Sequence, residues 1–522
     1  MFHCEIAIAC VPHELSIDLS REASNFDSMM DLASTILWSH DGLLFTPEIF
    51  LTTVSLVLLV YGLVNPDFRT LGVLSLLGLL CTFLLVLNQP IQNGASFQAA
   101  FIFDEVSQSL KLLILGSASI IVLYSFDYSR VEGWHAFESL ILILLSTISM
   151  LVMVSAYDFM TLYLTIELQS LCFYVLAASL RNSEYCIEGG LKYFVLGALA
   201  SGILLIGISL VYTFTGCINF EDLMKFVQAD AHTTLGLQIG VLCIFVALLF
   251  KLTAAPFHMW APDVYAAAPT VITAYFSLAP KIALIGVFLR IGLWTFFADP
   301  TGVSNTVLLI SGIASLIFGA FGALGQTNIK RLLAFSSINH VGYMLLGFAC
   351  GTLEGLQALF LYLFVYLIMT VTVFGILLSF RDTESPGVQY ISDFAHLSKS
   401  NPLLAFTFAL TLFSLAGIPP VAGFLSKFYL FFATLSASLY GAACIAVLTS
   451  CISCFYYLRL IKIMYFEMSA PWCHFRQIDA PKAFLISLSF FALVFIFVYP
   501  SPCFLFAQKL ALSLDGVHGV DF

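Results

Sequence analysis

The chain has 522 residues, 60% of them hydrophobic and only 10% charged, with 20 Lys and Arg against 31 Asp and Glu and a net charge of −11. A soluble protein is about a quarter charged, and so few charges cannot coat a water-facing surface; an ordinary soluble enzyme, a disordered chain and a disulfide scaffold are all excluded. The acidic balance also excludes a nucleic-acid partner, which would need clustered Lys and Arg.

What remains is an all-α polytopic membrane protein. Residues 1–42 form a polar N-terminal extension in which Glu5, Glu14, Asp18, Glu22, Asp27 and Asp31 stand against the single basic Arg21. Transit peptides are Arg-rich and poor in acids, and signal peptides start basic, so the stretch reads as an extramembrane tail. A span needs about 20 apolar residues, and from Leu43 onward about fourteen segments qualify. They fall near 43–63, 70–88, 106–125, 136–154, 157–180, 189–214, 234–258, 270–296, 304–325, 331–350, 354–380, 402–436, 437–466 and 482–507. Polar punctuation such as "RNSEYCIEGG" and "RDTESPGVQYISDFAHLSKSNP" separates them.

Four ionisable residues stand inside otherwise uncharged stretches: Glu167, Lys251, Lys281 and Lys427. An isolated charge at bilayer depth costs at least about 2.5–3.5 kcal/mol on insertion scales, so four of them imply a use. Snorkelling suits Arg290, Lys330, Arg331, Arg459 and Lys462, which lie near span ends, but the short stem of Glu167 cannot reach the interface. Lys111 and Lys192 are equally well read as static partners, since Lys192 has Glu188 four residues earlier on the same helix face. His340, in "SSINHVGYMLLG", is either a hydrogen-bonded packing residue or a proton relay. Most of the 13 Cys sit singly in apolar runs as small hydrophobes. The lone C-x-x-C at Cys451 and Cys454 lies inside a hydrophobic segment and is not read as a metal or redox site. No phosphate loop or dinucleotide fingerprint occurs.

Pro256 follows Lys251 by five residues, and Pro419 and Pro420 precede Lys427. Proline inside a span frees backbone carbonyls, which are tolerated only where protein or a water-lined cavity satisfies them. Paired interruptions in two halves of a chain mark inverted-repeat transporters. Grouped five plus five, the spans predict a first repeat over 136–296 and a second over 297–468, flanked by helices in 43–135 and a C-terminal helix and tail in 469–522. The fourth member of each group then carries a proline break and a lysine, and the second members carry Glu167 and His340.

The strings "LTIELQSLCFYVLAAS", "GLKYFVLGALASGILL", "FKLTAAPFHMWAPDVY", "LAPKIAL", "IKRLLAFSSINHVGYMLLGF", "AGIPPVAGFLSKFYLFFATL" and "YPSP" cover most of 136–505 in order. They closely resemble the antiporter-like membrane subunits of respiratory complex I, the proton-pumping NADH:quinone oxidoreductase, nearest the subunit 2 branch of mitochondrial, plant-like type. The resemblance implies a Glu167–Lys251 pair, with Lys281 and Lys427 continuing a horizontal chain of protonatable groups. It also implies a mitochondrial inner membrane location (in a bacterium, the plasma membrane) and no cofactor or metal in this chain. NADH, FMN, iron–sulfur clusters and ubiquinone would be held by partner subunits. Other membrane-arm subunits, including the siblings 4 and 5 and small subunits, are the implied neighbours, with lipid around them. One departure stands out. After "PDVY" the family has a glutamate and a proline-rich turn, whereas here Ala266 and Val271 stand in "YAAAPTVI".

The expected mechanism is a switchable Glu167–Lys251 ion pair whose opening lets a proton pass through water to Lys281. From there it would leave by Lys427, with His340 as an intermediate and the three prolines as hinges. Two other classes stay open on the residues alone: a cation/proton antiporter of the Mrp type, and a membrane scaffold with static ion pairs.

Overall fold

The computed structural model describes residues 40–132, 137–180, 182–229, 235–292, 303–380, 389–395, 397–467 and 478–516; the extension expected at 1–42 therefore lies almost wholly outside the described residues. After a short helical turn at His40–Leu44 come helices α1 (Thr46–Val64) and α2 (Phe68–Leu87). An antiparallel hairpin of β1 (Gln92–Ser96) and β2 (Phe101–Phe103) follows and leads into α3 (Glu105–Glu132). No apolar period announces the hairpin. Its turn runs through Phe97, Gln98 and Ala99 with φ of 52°, 55° and 63°.

The next five spans are α4 (Phe137–Ser155), α5 (Phe159–Ala177) and α6 (Glu184–Thr215), then, after the short surface helix α7 (Phe220–Ala229), a broken helix made of α8 (Leu235–Leu252) and α9 (Trp260–Ala267), and finally α10 (Thr270–Ile291). Five more repeat the order. They are α11 (Val303–Leu324), α12 (Ile329–Ala349), α13 (Leu353–Ser379), a broken helix made of α14 (Pro402–Ala416) and α15 (Ala422–Ser436), and α16 (Tyr440–Phe466). Helices α17 (Ala480–Val498) and α18 (Ser501–Gly516) close the chain. Five is an odd number, so once every member crosses the bilayer the second series starts from the opposite side and runs inverted to the first.

Thirteen helices among the described residues are long and apolar enough to cross a membrane, and the shorter α14 and α15 lie end to end as the halves of one more. The expected span at 482–507 needs correction: it ends at Val498, and Pro500 and Pro502 start a separate helix. Proline has no N–H for a helix interior and favours the first turn.

Side-chain caps fix several starts. Asp158 accepts from Thr161 N, Ser183 from Cys186 N, Asn328 from Lys330 N and Thr352 from Gly355 N, each satisfying a donor the helix itself cannot. Every residue from Val271 to Ile291 in α10 is buried, as are nearly all of α12 and α13, so these three form the centre of the bundle, mostly apolar all round but carrying buried Lys281, Arg290 and His340. The outer helices turn rows of side chains such as Leu63, Leu164 and Phe491 outward, exposed by 71%, 63% and 67%. Lipid tails are as apolar as leucine, so such faces are at rest in a bilayer.

Candidate functional site

The two broken helices are built alike. α8 ends at Leu252, and Thr253 follows in the left-handed region at φ +67°; α14 ends at Ala416, and Gly417 follows at φ +84°. Ala254 N donates to Leu249 O at 2.9 Å and Ile418 N donates to Phe413 O at 3.0 Å, the wide closing bond of a Schellman-type helix end. Three residues after each left-handed position comes a cis proline, Pro256 and Pro420. Pro419, the third of the expected helix breakers, forms the cis bond with Pro420.

Each break frees carbonyls, and at bilayer depth a freed carbonyl must find a donor. At the first break the Trp260 indole N–H donates to Phe250 O at 3.0 Å, beside the Thr253 N–H at 3.2 Å. The Lys427 ammonium donates to Leu415 O at 3.0 Å and Ala416 O at 2.8 Å. The expected pairing of break and lysine thus holds, but the two lysines come from opposite sides. Lys251 sits in the last turn before its break, whereas Lys427 lies ten residues beyond Gly417 and reaches back. Both ammonium groups end at the C-terminus of the first half-helix, where the helix dipole favours a cation. Pro280 creates a third freed carbonyl within α10, and the Tyr265 hydroxyl donates to it at Phe276 O, 3.2 Å away.

Glu167 projects from the middle of α5, partly buried, and its Oε1 is enclosed without a hydrogen-bond partner. The expected ion pair with Lys251 stands open: no contact of ion-pair length joins the two among the described residues, and the Lys251 Nζ instead lies 3.4 Å from the Tyr174 hydroxyl and 5.8 Å from its ring centroid. Lys251 and Lys281 line one small cavity of about 20 Å³, together with Gln169, Ser170, Tyr193 and Trp260. The walls are mainly apolar, with these polar groups set into them, and the space is about that of one bridging water.

From Lys281 the polar groups continue inward. Lys281 Nζ donates to the Tyr366 hydroxyl at 2.9 Å, and the Tyr366 ring centroid is 5.3 Å from that of His340. His340 Nδ1 lies 2.6 Å from the Tyr362 hydroxyl and Nε2 lies 3.4 Å from that of Tyr457. Lys427 Nζ is 5.1 Å from the centroid of Tyr343, whose ring is 5.7 Å from Tyr362. Lys251, Lys281, His340 and Lys427 are therefore brought into one interior line, with tyrosines between them. Sequence reasoning missed the tyrosines. Their signal was the i, i+4 spacing of Tyr362 and Tyr366 in "LYLFVYL", which puts both hydroxyls on one helix face.

The other charges sort differently. Arg290 does not snorkel: it is buried, and its Nη2 lies 2.7 Å from Asp104 Oδ1 while Nε donates to Val154 O at 2.9 Å. Its nearness to the span end hid a partner in the loop before α3. Lys111 is fully buried against Glu48 at 2.6 Å. Lys192 meets Glu188 at 2.8 Å, as the spacing suggested, and Asp263 at 3.5 Å; Asp263 also holds Arg331 at 2.6 Å on the outside of the bundle. Lys330 donates to Ala268 O and Arg459 to Leu324 O, and Lys462 is exposed. The altered turn is compact, with Ala266 and Val271 buried and the Thr273 hydroxyl donating to Tyr265 O at 3.0 Å. Cys451 and Cys454 are free thiols on α16, and no group of three or more metal-ligating side chains occurs among the described residues.

Residues 156–453 match the family model described as NADH:quinone oxidoreductase/Mrp antiporter, TM. The NADH-ubiquinone oxidoreductase chain 2 of Marchantia polymorpha is 48% identical over 493 residues, covering 92% of this chain and all of that one. A chain of respiratory complex I from Thermus thermophilus superposes with a TM-score of 0.75 at 28% identity, over 88% of this chain and 98% of that one. A chain of the Mrp complex from Dietzia sp. shares the fold, with a TM-score of 0.75 at 22% identity over 91% of this chain and 98% of that one.

Proposed function

From the premise that this chain belongs to the NADH:quinone oxidoreductase/Mrp antiporter membrane family, we propose that Glu167, Lys251, Lys281, His340 and Lys427 carry protons across the bilayer. Within that family the chain is an antiporter-like membrane subunit of the proton-translocating NADH:ubiquinone oxidoreductase, multi-pass in the inner mitochondrial membrane. It works within a larger membrane complex, and the sibling subunits 4 and 5 are its proposed neighbours. Quinone reduction in other subunits, which hold the NADH, FMN, iron–sulfur and quinone sites, supplies the energy.

The observation that carries the residue assignment is the interior line from Lys251 through the shared cavity to Lys281, Tyr366, His340, Tyr343 and Lys427. Charges at this depth are costly enough to be rare without a use. A lysine is suited to the work because its ammonium is a compact charge on a flexible stem that gives up a proton when its surroundings change. Glu167, with an open acceptor oxygen, would draw the Lys251 ammonium toward it in one state and release it in the other. His340 can take a proton on either ring nitrogen, both of which already face hydroxyls.

The test is proton pumping by the assembled enzyme in sealed vesicles. Lys251→Ala and Lys427→Ala should each abolish pumping through this subunit while NADH oxidation by the hydrophilic part continues. Full pumping in both variants would overturn the assignment. A Na⁺-driven transport assay without NADH separates this reading from a free-standing cation/proton antiporter.

A further inference from the structure

We infer that Tyr174 is a positioning residue for Lys251, its hydroxyl competing with the Glu167 carboxylate for one ammonium group and holding the pair open. The inference rests on the role given above to Glu167 and Lys251.

Glu167 and Tyr174 are seven residues apart on α5, which is two turns on one face, about 10.5 Å of rise. Ser170 lies between them on the same face and lines the cavity that Lys251 also lines. The Lys251 ammonium thus has two acceptors along a single helix face. It stands at the Tyr174 end, 3.4 Å from the hydroxyl, while Glu167 Oε1 at the other end is enclosed and accepts from nothing. A lysine stem of four methylenes can swing between such points without backbone movement.

The Tyr174 ring is held in place. It meets Tyr193 edge-on at 4.9 Å and Phe194 at 5.5 Å, and Tyr193 stacks flat on Trp260 at 4.4 Å with 10° between the planes. Trp260 in turn donates to Phe250 O, the residue before Lys251. The tyrosine and the break that carries the lysine are therefore one packed unit. On α6 the chain makes room for the hydroxyl with Gly197, because a Cβ there would sit only 2.1 Å from its oxygen. A neutral hydroxyl binds an ammonium less strongly than a carboxylate does, so it can retain Lys251 without locking it.

Two substitutions on different helices remove the contact in different ways. Tyr174→Phe deletes the oxygen and keeps the ring; Gly197→Ala keeps the oxygen and pushes it away. In the assembled enzyme, both should change the pH profile of proton pumping in the same sense and lower the pumping rate per assembled complex about two- to tenfold, the range for one lost hydrogen bond. Lys251→Ala is run beside them. If Lys251→Ala abolishes pumping but Tyr174→Phe pumps with an unchanged rate and pH profile, the positioning role falls and the proton path stands. If Tyr174→Phe lowers only the amount of assembled complex, the residue merely packs, and the inference is again overturned. If Lys251→Ala pumps fully, the proton path itself falls and the inference with it.

Discussion

Thr253 and Gly417 hold the same place in the two broken helices: each is the first residue past its half-helix, each has a positive φ (67° and 84°), and each precedes a cis proline by three residues. Only one of them is a glycine. A β-branched residue in the left-handed region is an outlier held by its surroundings, so the first break tolerates a side chain that the second does not. The reason is spatial. At Gly417 a Cβ would sit 2.7 Å from Lys427 Cδ.

Gly417→Ala is therefore expected to do more than strain the backbone. The left-handed conformation costs alanine about 1–2 kcal/mol, and the new methyl group also pushes the Lys427 ammonium off Leu415 O and Ala416 O. Pumping per assembled complex should fall about tenfold, while Thr253→Gly should assemble and pump as the unaltered enzyme does. Equal loss in the two variants would show that the turn alone matters and that the place of Lys427 does not.

Trp260→Phe keeps the stacking on Tyr193 but deletes the N–H that meets Phe250 O. Phe250 O keeps the Thr253 N–H at 3.2 Å, so one of its two hydrogen bonds is lost, at a cost of about 0.5–1.5 kcal/mol. The expected result is a lower midpoint for thermal loss of activity, with a larger drop than Tyr193→Phe gives. Thermal inactivation of the purified enzyme measures both.

The spans were legible because a bilayer demands long apolar helices, and the isolated charges were legible because the same rule makes them conspicuous. The breaks at Pro256 and Pro420 could be placed from the prolines alone. What a linear reading lacked was the third dimension. Arg290 lies near a span end and reads as a snorkelling residue, yet its partner Asp104 is 186 positions away. Tyr362, Tyr366 and Tyr457 sit in apolar runs and read as core, since nothing in the string shows that their hydroxyls meet His340 and Lys281. The hairpin at 92–103 follows no period at all. Its strands are too short for alternation to register, and its turn depends on three residues in an uncommon conformation.

Asp104 offers a test in which pH decides the outcome. Burial alone would push its carboxyl up, but the Arg290 guanidinium and the Ser107 N–H beside it hold it below the usual carboxylate range. A carboxyl with a lowered pKa contributes stability that is present above its unfolded value of about 3.9 and is lost as pH falls through the folded one. Asp104→Asn should therefore cost the same at pH 6 as at pH 8, about 3–5 kcal/mol for removing one charge of a buried pair. Thermal inactivation at the two pH values is the measurement. A cost that shrinks markedly by pH 6 would mean that the carboxyl is already taking up a proton there.

Glu48 and Lys111 pose the remaining question, whether a buried pair outside the two five-helix series takes part in proton movement. Their 2.6 Å contact is 99% shielded on both sides, and the lysine also lies 4.6 Å from the Phe103 ring centroid. The pair joins α1 to α3, and its place outside both five-helix series favours a static role. Breaking such a pair from one side leaves a buried charge and costs about 3–5 kcal/mol, whereas replacing both partners with apolar groups is often neutral. Glu48→Leu or Lys111→Met alone should therefore reduce the amount of assembled complex on a native gel, and the double variant should restore it through a coupling term of about 3 kcal/mol or less. Pumping per complex should be unchanged in the double variant. Restored assembly with lost pumping would instead place Glu48 and Lys111 on a proton route of their own.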